Sequence, residues 1–360
     1  MLNLDIPASE RQTTIPANQS YCLLSIITTP GKAESMTRFA LQNGAIMAHS
    51  CFAHGTVPNH ILSLLGLAGV RRELVIFTVP EASGQNLMDL LCARFNIGKA
   101  MNGIAFLQNL NNHVTPGDVK KESDYIMIAA IVNEGDGESV VESARRCHPV
   151  GASILRALGS ADHSKKTFNF EIFPKKEIVL IIAHSCHTEV LCQSIFGELR
   201  TEIPGRGILF STGLERVVGV LDVEQERNGE QDSPDSPQDA LQDFDQSLPA
   251  ADYVALFAVV NRGHTGKIIN VAEQCGGSGA TILHVREMDS ASQSWYSRLG
   301  DAEKEIVLML APHEISTAIT KELTEFSATH KSGHILIGRF DVDRFQHLSD
   351  QGTAKDHPKF

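Results

Sequence analysis

The sequence predicts an α+β chain that lays down one β-α-β-β-α-β unit three times. The first observation behind this is an internal period. Tyr21, Gly31, Ala40, Glu73 and Val75 recur 104 residues on as Tyr125, Gly135, Ala144, Glu177 and Val179, and a further 128 residues on as Tyr253, Gly263, Ala272, Glu305 and Val307. A period of that length is domain-sized rather than solenoid-sized. The second observation is that each stretch opens on a short β-branched run followed by glycine and a helical pattern. The third is an apolar strand that enters behind the recurring glutamate in all three.

Taken in order, the first strands are Leu23 to Ile27, Ile126 to Val132 and Val254 to Val260. A helix follows each; in the third stretch Ile268, Ile269, Val271 and Ala272 share one face, and Cys275-Gly276-Gly277 supplies a glycine stop. A second strand is clearest over Ala280 to Val285. The third strands are Leu74–Phe77, Ile178–Ile182 and Ile306–Leu310. A second helix is expected near 81–95, 187–200 and 313–329, and a fourth strand near 103–108, 206–211 and 334–340. This order is the split ferredoxin-like unit. Its sheet carries helices on one face only and leaves an apolar face to be covered. The expectation is therefore three tandem ferredoxin-like domains whose open faces meet as an intramolecular pseudotrimer. The boundaries are a tail over 1–20, domains over 21–114, 125–221 and 253–348, and an acidic disordered linker over 222–250.

Composition limits the function classes. The 42% hydrophobic fraction suits globular cores, and no apolar run reaches the roughly 20 residues of a membrane helix, so no membrane insertion is expected. Net charge −12 lacks the basic footprint of a nucleic-acid binder. Seven cysteines without framework spacing, and no basic-then-apolar leader pattern at the N-terminus, predict a reduced cytoplasmic protein. Between Leu221 and Ala250 stand nine acidic residues and one Arg, a composition that cannot bury enough apolar surface to fold.

Several phrases recur in order: LFAVVNRGHTGKIINVAEQCGGSGATILHVRE, EKEIVLML and FDVDRF in the third stretch; IVNEGDGESVVESARR, VGASILR, KKEIVLII and PGRGILFSTGLERVVGV in the second; ALQNGAIMAHS, RRELVIF and NGIAFL in the first. Together these resemble the P-II-like nitrogen-regulator superfamily. The resemblance implies a signalling role in nitrogen regulation, a small effector (often an adenine nucleotide) bound between neighbouring units, and a loop between strands 2 and 3 that docks on a protein target. It also implies a nucleotide-facing turn before strand 4, here Gly205, Arg206 and Gly207 in the second stretch and Gly333 and His334 in the third. A guanidinium between glycines suits phosphate, although none of the three turns has the family's longer Gly- and Lys-bearing clamp, and a plain helix-to-strand turn accounts for the glycines as well. The second candidate wall is the entry to strand 2: Gly151 and Ser153, then Gly279 and Thr281 with Arg286 beyond.

The loops between strands 2 and 3 differ most. The first holds Ile61, Leu64 and Leu65, the second Phe168 and Phe170, and the third the only tryptophan, Trp295, beside Tyr296. Such groups either bury against a partner or fold back on their own body. His49, Cys51 and His54 form one candidate metal set, and His184, Cys186 and His187 another, suited to zinc or copper. The recurring glutamate sits among basic neighbours and reads as an ion pair between units. No nucleophile elbow, Walker loop or dinucleotide fingerprint appears. The expected function is a non-enzymatic regulator that takes a small anionic effector between units and a protein target on its loops. The alternatives are a self-assembling building block with decayed ligand sites and a CutA-like divalent-metal-binding protein.

Overall fold

The computed structural model describes residues 19–56, 69–99, 102–110, 123–160, 166–167, 170–171, 173–199, 207–220, 250–288, 303–329 and 335–348. The chain falls into three segments. The first runs β1 (Tyr21–Thr28), α1 (Ala33–Gln42), β2 (Met47–Thr56), β3 (Gly69–Pro80), α2 (Glu81–Phe95) and β4 (Gly103–Leu110). The second runs β5 (Tyr125–Asn133), α3 (Gly137–Cys147), β6 (Ala152–Gly159), the two-residue strands β7 (Lys166–Thr167) and β8 (Phe170–Glu171), β9 (Lys175–His184), α4 (Thr188–Leu199), β10 (Gly207–Leu214) and β11 (Arg216–Val218). The third runs β12 (Ala250–Asn261), α5 (Thr265–Gln274), β13 (Thr281–Glu287), β14 (Glu303–Pro312), α6 (His313–Thr329) and β15 (Leu336–His347).

The segments do not form the three tandem ferredoxin-like domains expected from the sequence. Apart from β7 and β8, which pair with each other, their strands merge into one thirteen-stranded antiparallel sheet, ordered β11-β4-β1-β3-β2-β13-β14-β12-β15-β10-β5-β9-β6. Additional pairings of β6 with β2 and with β13 turn one end of the sheet back onto these interior strands, and a nine-stranded antiparallel β-barrel closes. The architecture is a barrel-rich α+β fold with six helices among the described residues. The fold that the P-II-like resemblance implied is overturned with it, and nothing in this architecture points to nitrogen regulation.

Closure has a physical origin in the edges. A strand left at an edge presents unpaired N–H and C=O groups. Here the end of β2 pairs with the start of β6 (Thr56↔Ala152, Ala53↔Leu155). The end of β6 pairs with the start of β13 (Gly159↔Thr281), and the end of β13 with the start of β2 (Arg286↔Ser50, Glu287↔His49). Arg145 of α3 locks the β2–β6 pairing by donating to the Thr56 carbonyl and hydroxyl, both at 2.9 Å.

The fourth strands are longer than the sequence pattern implied, and the extra length crosses between segments. β10 runs on through Glu215 into β11, which adds to β4 of the first segment (Arg216↔Leu107, Val218↔Ala105). The end of β15 adds to β10 of the second (Arg344↔Ser211, His347↔Ile208). Inside, Gln108 donates to the Thr212 hydroxyl at 3.0 Å, which donates to the Asp341 carbonyl at 2.8 Å, so one buried relay touches all three segments.

Four apolar cores result among the described residues. The central one joins the inner sheet faces of all three segments, among them Leu74, Phe106, Leu180, Phe210, Phe257 and Phe340. Each of the others lies between one sheet and its two helices and includes Met36 and Leu87, Val140 and Leu191, or Ile268 and Ile319. The recurring residues now have reasons. Ala40, Ala144 and Ala272 let the first helix of each segment approach its sheet, and Val75, Val179 and Val307 are fully buried beneath it. The expected glycine stop of α5 is present: Gly276 has φ +93 and Gly277 N–H donates to Ala272 O at 2.8 Å.

Candidate functional site

The recurring glutamate has a local task. Glu73 accepts from Gly31 N–H at 3.1 Å, Glu177 from Gly137 N–H at 2.9 Å and Glu305 from Gly263 N–H at 3.2 Å. Each carboxylate holds the turn that leads into its segment's first helix, where N–H groups lack intrahelical partners and favour negative charge. The expected ion pair between units is replaced by this hydrogen bond within one segment. Glu305 is the most buried and also accepts from the Thr265 hydroxyl, with His284 Nδ1 at 3.2 Å.

Among the described residues an open cavity lies at a junction between segments. At the first seam β11 lies on β4, and an open cavity of about 560 Å³ sits beside it. Gln19 and Ser20 line it from the approach to β1; Glu81, Ala82 and Gln85 from the first turns of α2; Leu107 and Asn109 from β4; and Glu215 from the second segment. The frame is set by backbone bonds: Glu81 N–H donates to Ser20 O at 3.0 Å, and Glu215 N–H to Leu107 O at 2.9 Å. The next residue, Arg216, turns away and donates to Asp89 of α2 at 2.6 Å. That bond raises the guanidinium pKa and holds the Asp89 carboxyl below its usual range.

The second seam repeats this frame with different contents. Arg344 stands opposite Ser211 as Arg216 stands opposite Leu107. Ser185 N–H donates to Asp124 O at 2.8 Å as Glu81 does to Ser20. The acid and the amide on the helix have changed places: Glu189 stands where Gln85 does and Gln193 where Asp89 does. Arg344 therefore pairs with Glu189, which also accepts from Gln193 at 2.7 Å. Ser123 closes on Gly213, where an added Cβ would lie 2.7 Å from its hydroxyl. The two register-equivalent positions thus differ: an open cavity whose lining includes Glu81 and Glu215 at the first, and an Arg344–Glu189 ion pair at the second.

Of the ligand-binding residues expected from the sequence, Gly205, Arg206, Gly333 and His334 lie outside the described residues. Gly207 opens β10, and an added Cβ would sit 2.3 Å from Ile131 O, so close strand approach alone requires glycine there. Gly103 meets Ile27 O in the same way. Ser153 and Thr281 are buried in seam pairings, Gly151 is exposed just before β6, Gly279 has φ +152, and Arg286 is exposed opposite Ser50. Of the partner-loop residues, Ile61, Leu64, Leu65, Phe168, Trp295 and Tyr296 lie outside the described residues, and Phe170 contributes its backbone to the β7–β8 pair.

The two metal sets do not converge. His49 and Cys51 share the inner face of β2, while His54 lies on the other face and is exposed. Burial, with Glu73 nearby, pushes the Cys51 thiol up to about 12, and a thiol held protonated is a poor ligand. His184 Nδ1 lies 3.1 Å from Cys186 Sγ, but His187 stacks on His148 with ring centres 3.8 Å apart. Among the described residues no three His, Cys, Asp or Glu side chains are grouped to hold a metal ion. No helix among them is long and apolar enough to cross a membrane.

The cleft residues escaped sequence reasoning because Glu81, Gln85, Asn109 and Glu215 form no motif. The available signal was the exchange of Gln85 and Asp89 for Glu189 and Gln193 at the 104-residue offset.

No protein-family model matches the chain, and no curated protein matches it. Among solved structures it is similar to the crystal structure of aspartate kinase from Synechocystis, at 9% identity and a TM-score of 0.20, over 89% of this chain and 43% of that one. The chain thus spans less than half the length of that protein, and a likeness so slight carries no argument.

Proposed function

We propose that the chain is a non-enzymatic regulatory protein that binds a small effector in the cleft of the first seam. One observation carries this reading: an open cavity lies where β11 meets β4, with walls from two segments, while at the register-equivalent position Arg344 pairs with Glu189. Its volume of about 560 Å³ lies within the ~300–1,000 Å³ of small-molecule sites. Its walls come from two segments, so an occupant contacts both and stabilises their junction by linkage. That is a way for a small molecule to set how firmly the tail of the second segment is held.

Thermal unfolding of the full chain against a panel of nucleotides, amino acids, amines and inorganic ions tests the proposal. A concentration-dependent rise in Tm with at least one class is expected, and it is lost when Glu215→Trp fills the cleft. A folded protein whose Tm responds to no member of the panel overturns the reading.

A further inference from the structure

We propose that Cys186 is a reactive thiol, with His184 as its base, that exchanges with small-molecule disulfides. The proposal does not depend on the first-seam cleft.

The seven cysteines divide by their surroundings. Burial pushes the thiols of Cys22, Cys51 and Cys192 up to about 12, and it also raises those of Cys92 and Cys275. A thiol held protonated is a poor nucleophile. The two exposed cysteines are Cys147 and Cys186. Of these two, only Cys186 has an imidazole in contact among the described residues: its Sγ lies 3.1 Å from His184 Nδ1.

Two contacts orient the base. Cys186 N–H donates to the same His184 Nδ1 at 3.4 Å, so the ring proton sits on Nε2 and the Nδ1 lone pair is turned toward Cys186. The ring also stands edge-on to Tyr125, with 5.5 Å between ring centres. A nucleophile, a base within hydrogen-bond reach and a group that orients the base are the parts of an activated nucleophile. Cys186 belongs to the 3₁₀ turn Ser185–His187 that leads into α4. Negative charge developing on its sulfur is favoured there by the positive end of the helix.

The step is a thiol–disulfide exchange. As the bond from Cys186 Sγ to one sulfur of the small disulfide forms, the thiol proton passes to His184 Nδ1. The S–S bond of the small disulfide breaks, and its departing thiolate takes that proton from the imidazolium. One disulfide is consumed and one is made, so no further oxidant enters. The adduct stands in the turn before Glu189, which holds Arg344 across the second seam, and beside His187, stacked on His148.

The reduced full chain is incubated with glutathione disulfide, and peptide mapping by mass spectrometry follows each cysteine with time. Cys186 should gain the glutathionyl group at least about tenfold faster than Cys147, the modest end of what a general base contributes, and a dithiol reductant should reverse it. In His184→Gln, checked by circular dichroism, the rate at Cys186 should fall by the same factor while Cys147 is unchanged. Equal rates at Cys147 and Cys186 in the wild-type chain overturn the proposal without any variant. An unchanged rate at Cys186 in folded His184→Gln overturns it as well.

Discussion

Acidification should weaken the β2–β13 seam through one histidine. His49 lies in β2 opposite Glu287 of β13, is 2% exposed, and its Nε2 has no hydrogen-bond partner among the described residues. Burial, with the Lys304 ammonium as a second cause, lowers its pKa from 6.5 to about 4. Lys304 in turn is held by Glu287 at 3.0 Å and by Asn261. Because the folded pKa lies below the unfolded one, the unfolded chain binds the extra proton between these values. Stability is then complete above pH ~6.5, falls as the pH drops toward 4, and falls no further below that from this group. At ~1.4 kcal/mol per pH unit the loss is about 3 kcal/mol. Carboxylates titrate over the same range, so the measurement is a difference. Urea unfolding of the wild type and of His49→Leu is followed from pH 7.5 to 4. The wild type should lose about 3 kcal/mol more than the variant. Parallel curves for the two proteins would refute the assignment of a buried neutral imidazole at this seam.

Other outcomes follow from the same contacts. Glu305→Ala should cost about 3 kcal/mol in chemical denaturation, because it leaves buried donors unmatched, and Glu73→Ala, whose bond is exposed, about 1 kcal/mol. Gly207→Ala places a Cβ 2.3 Å from Ile131 O; a loss of at least about 2 kcal/mol is expected from the forced separation of β5 and β10, seen as a lower urea midpoint. Gly151→Ala, where an added Cβ meets nothing within 4 Å, should change stability by less than about 0.5 kcal/mol and serves as its control. Deleting the tail from Glu215 through Val218, which removes β11, should lower Tm and abolish any ligand response.

Much of the secondary structure was legible in the sequence. The second helices read near 81–95, 187–200 and 313–329 are Glu81–Phe95, Thr188–Leu199 and His313–Thr329, since their apolar spacing and flanking strands act locally. The fourth strands, read as ending at 108, 211 and 340, run on to Leu110, Leu214 and His347. Their last residues alternate toward a neighbouring segment, so their signal depends on a surface far away in the chain. The same cause misled the fold reading. The apolar inner faces correctly demanded a cover, but whether that cover is a packed neighbour or a continuous sheet depends on backbone pairing at β2, β6 and β13. Backbone pairing leaves little mark on residue type. The cleft was less visible still, because its residues come from four separate places and only the exchange of an acid and an amide marks it.

Hydrogen exchange with and without the panel ligand that raises Tm tests the central claim most directly, that a ligand at the first seam ties the second segment's tail to the first. The account predicts added protection in 103–110 and 215–220 together, through bonds such as Glu215 N–H to Leu107 O, with 207–213 and 343–348 unchanged. Protection that rises at the second seam instead, or evenly across the chain, would contradict it.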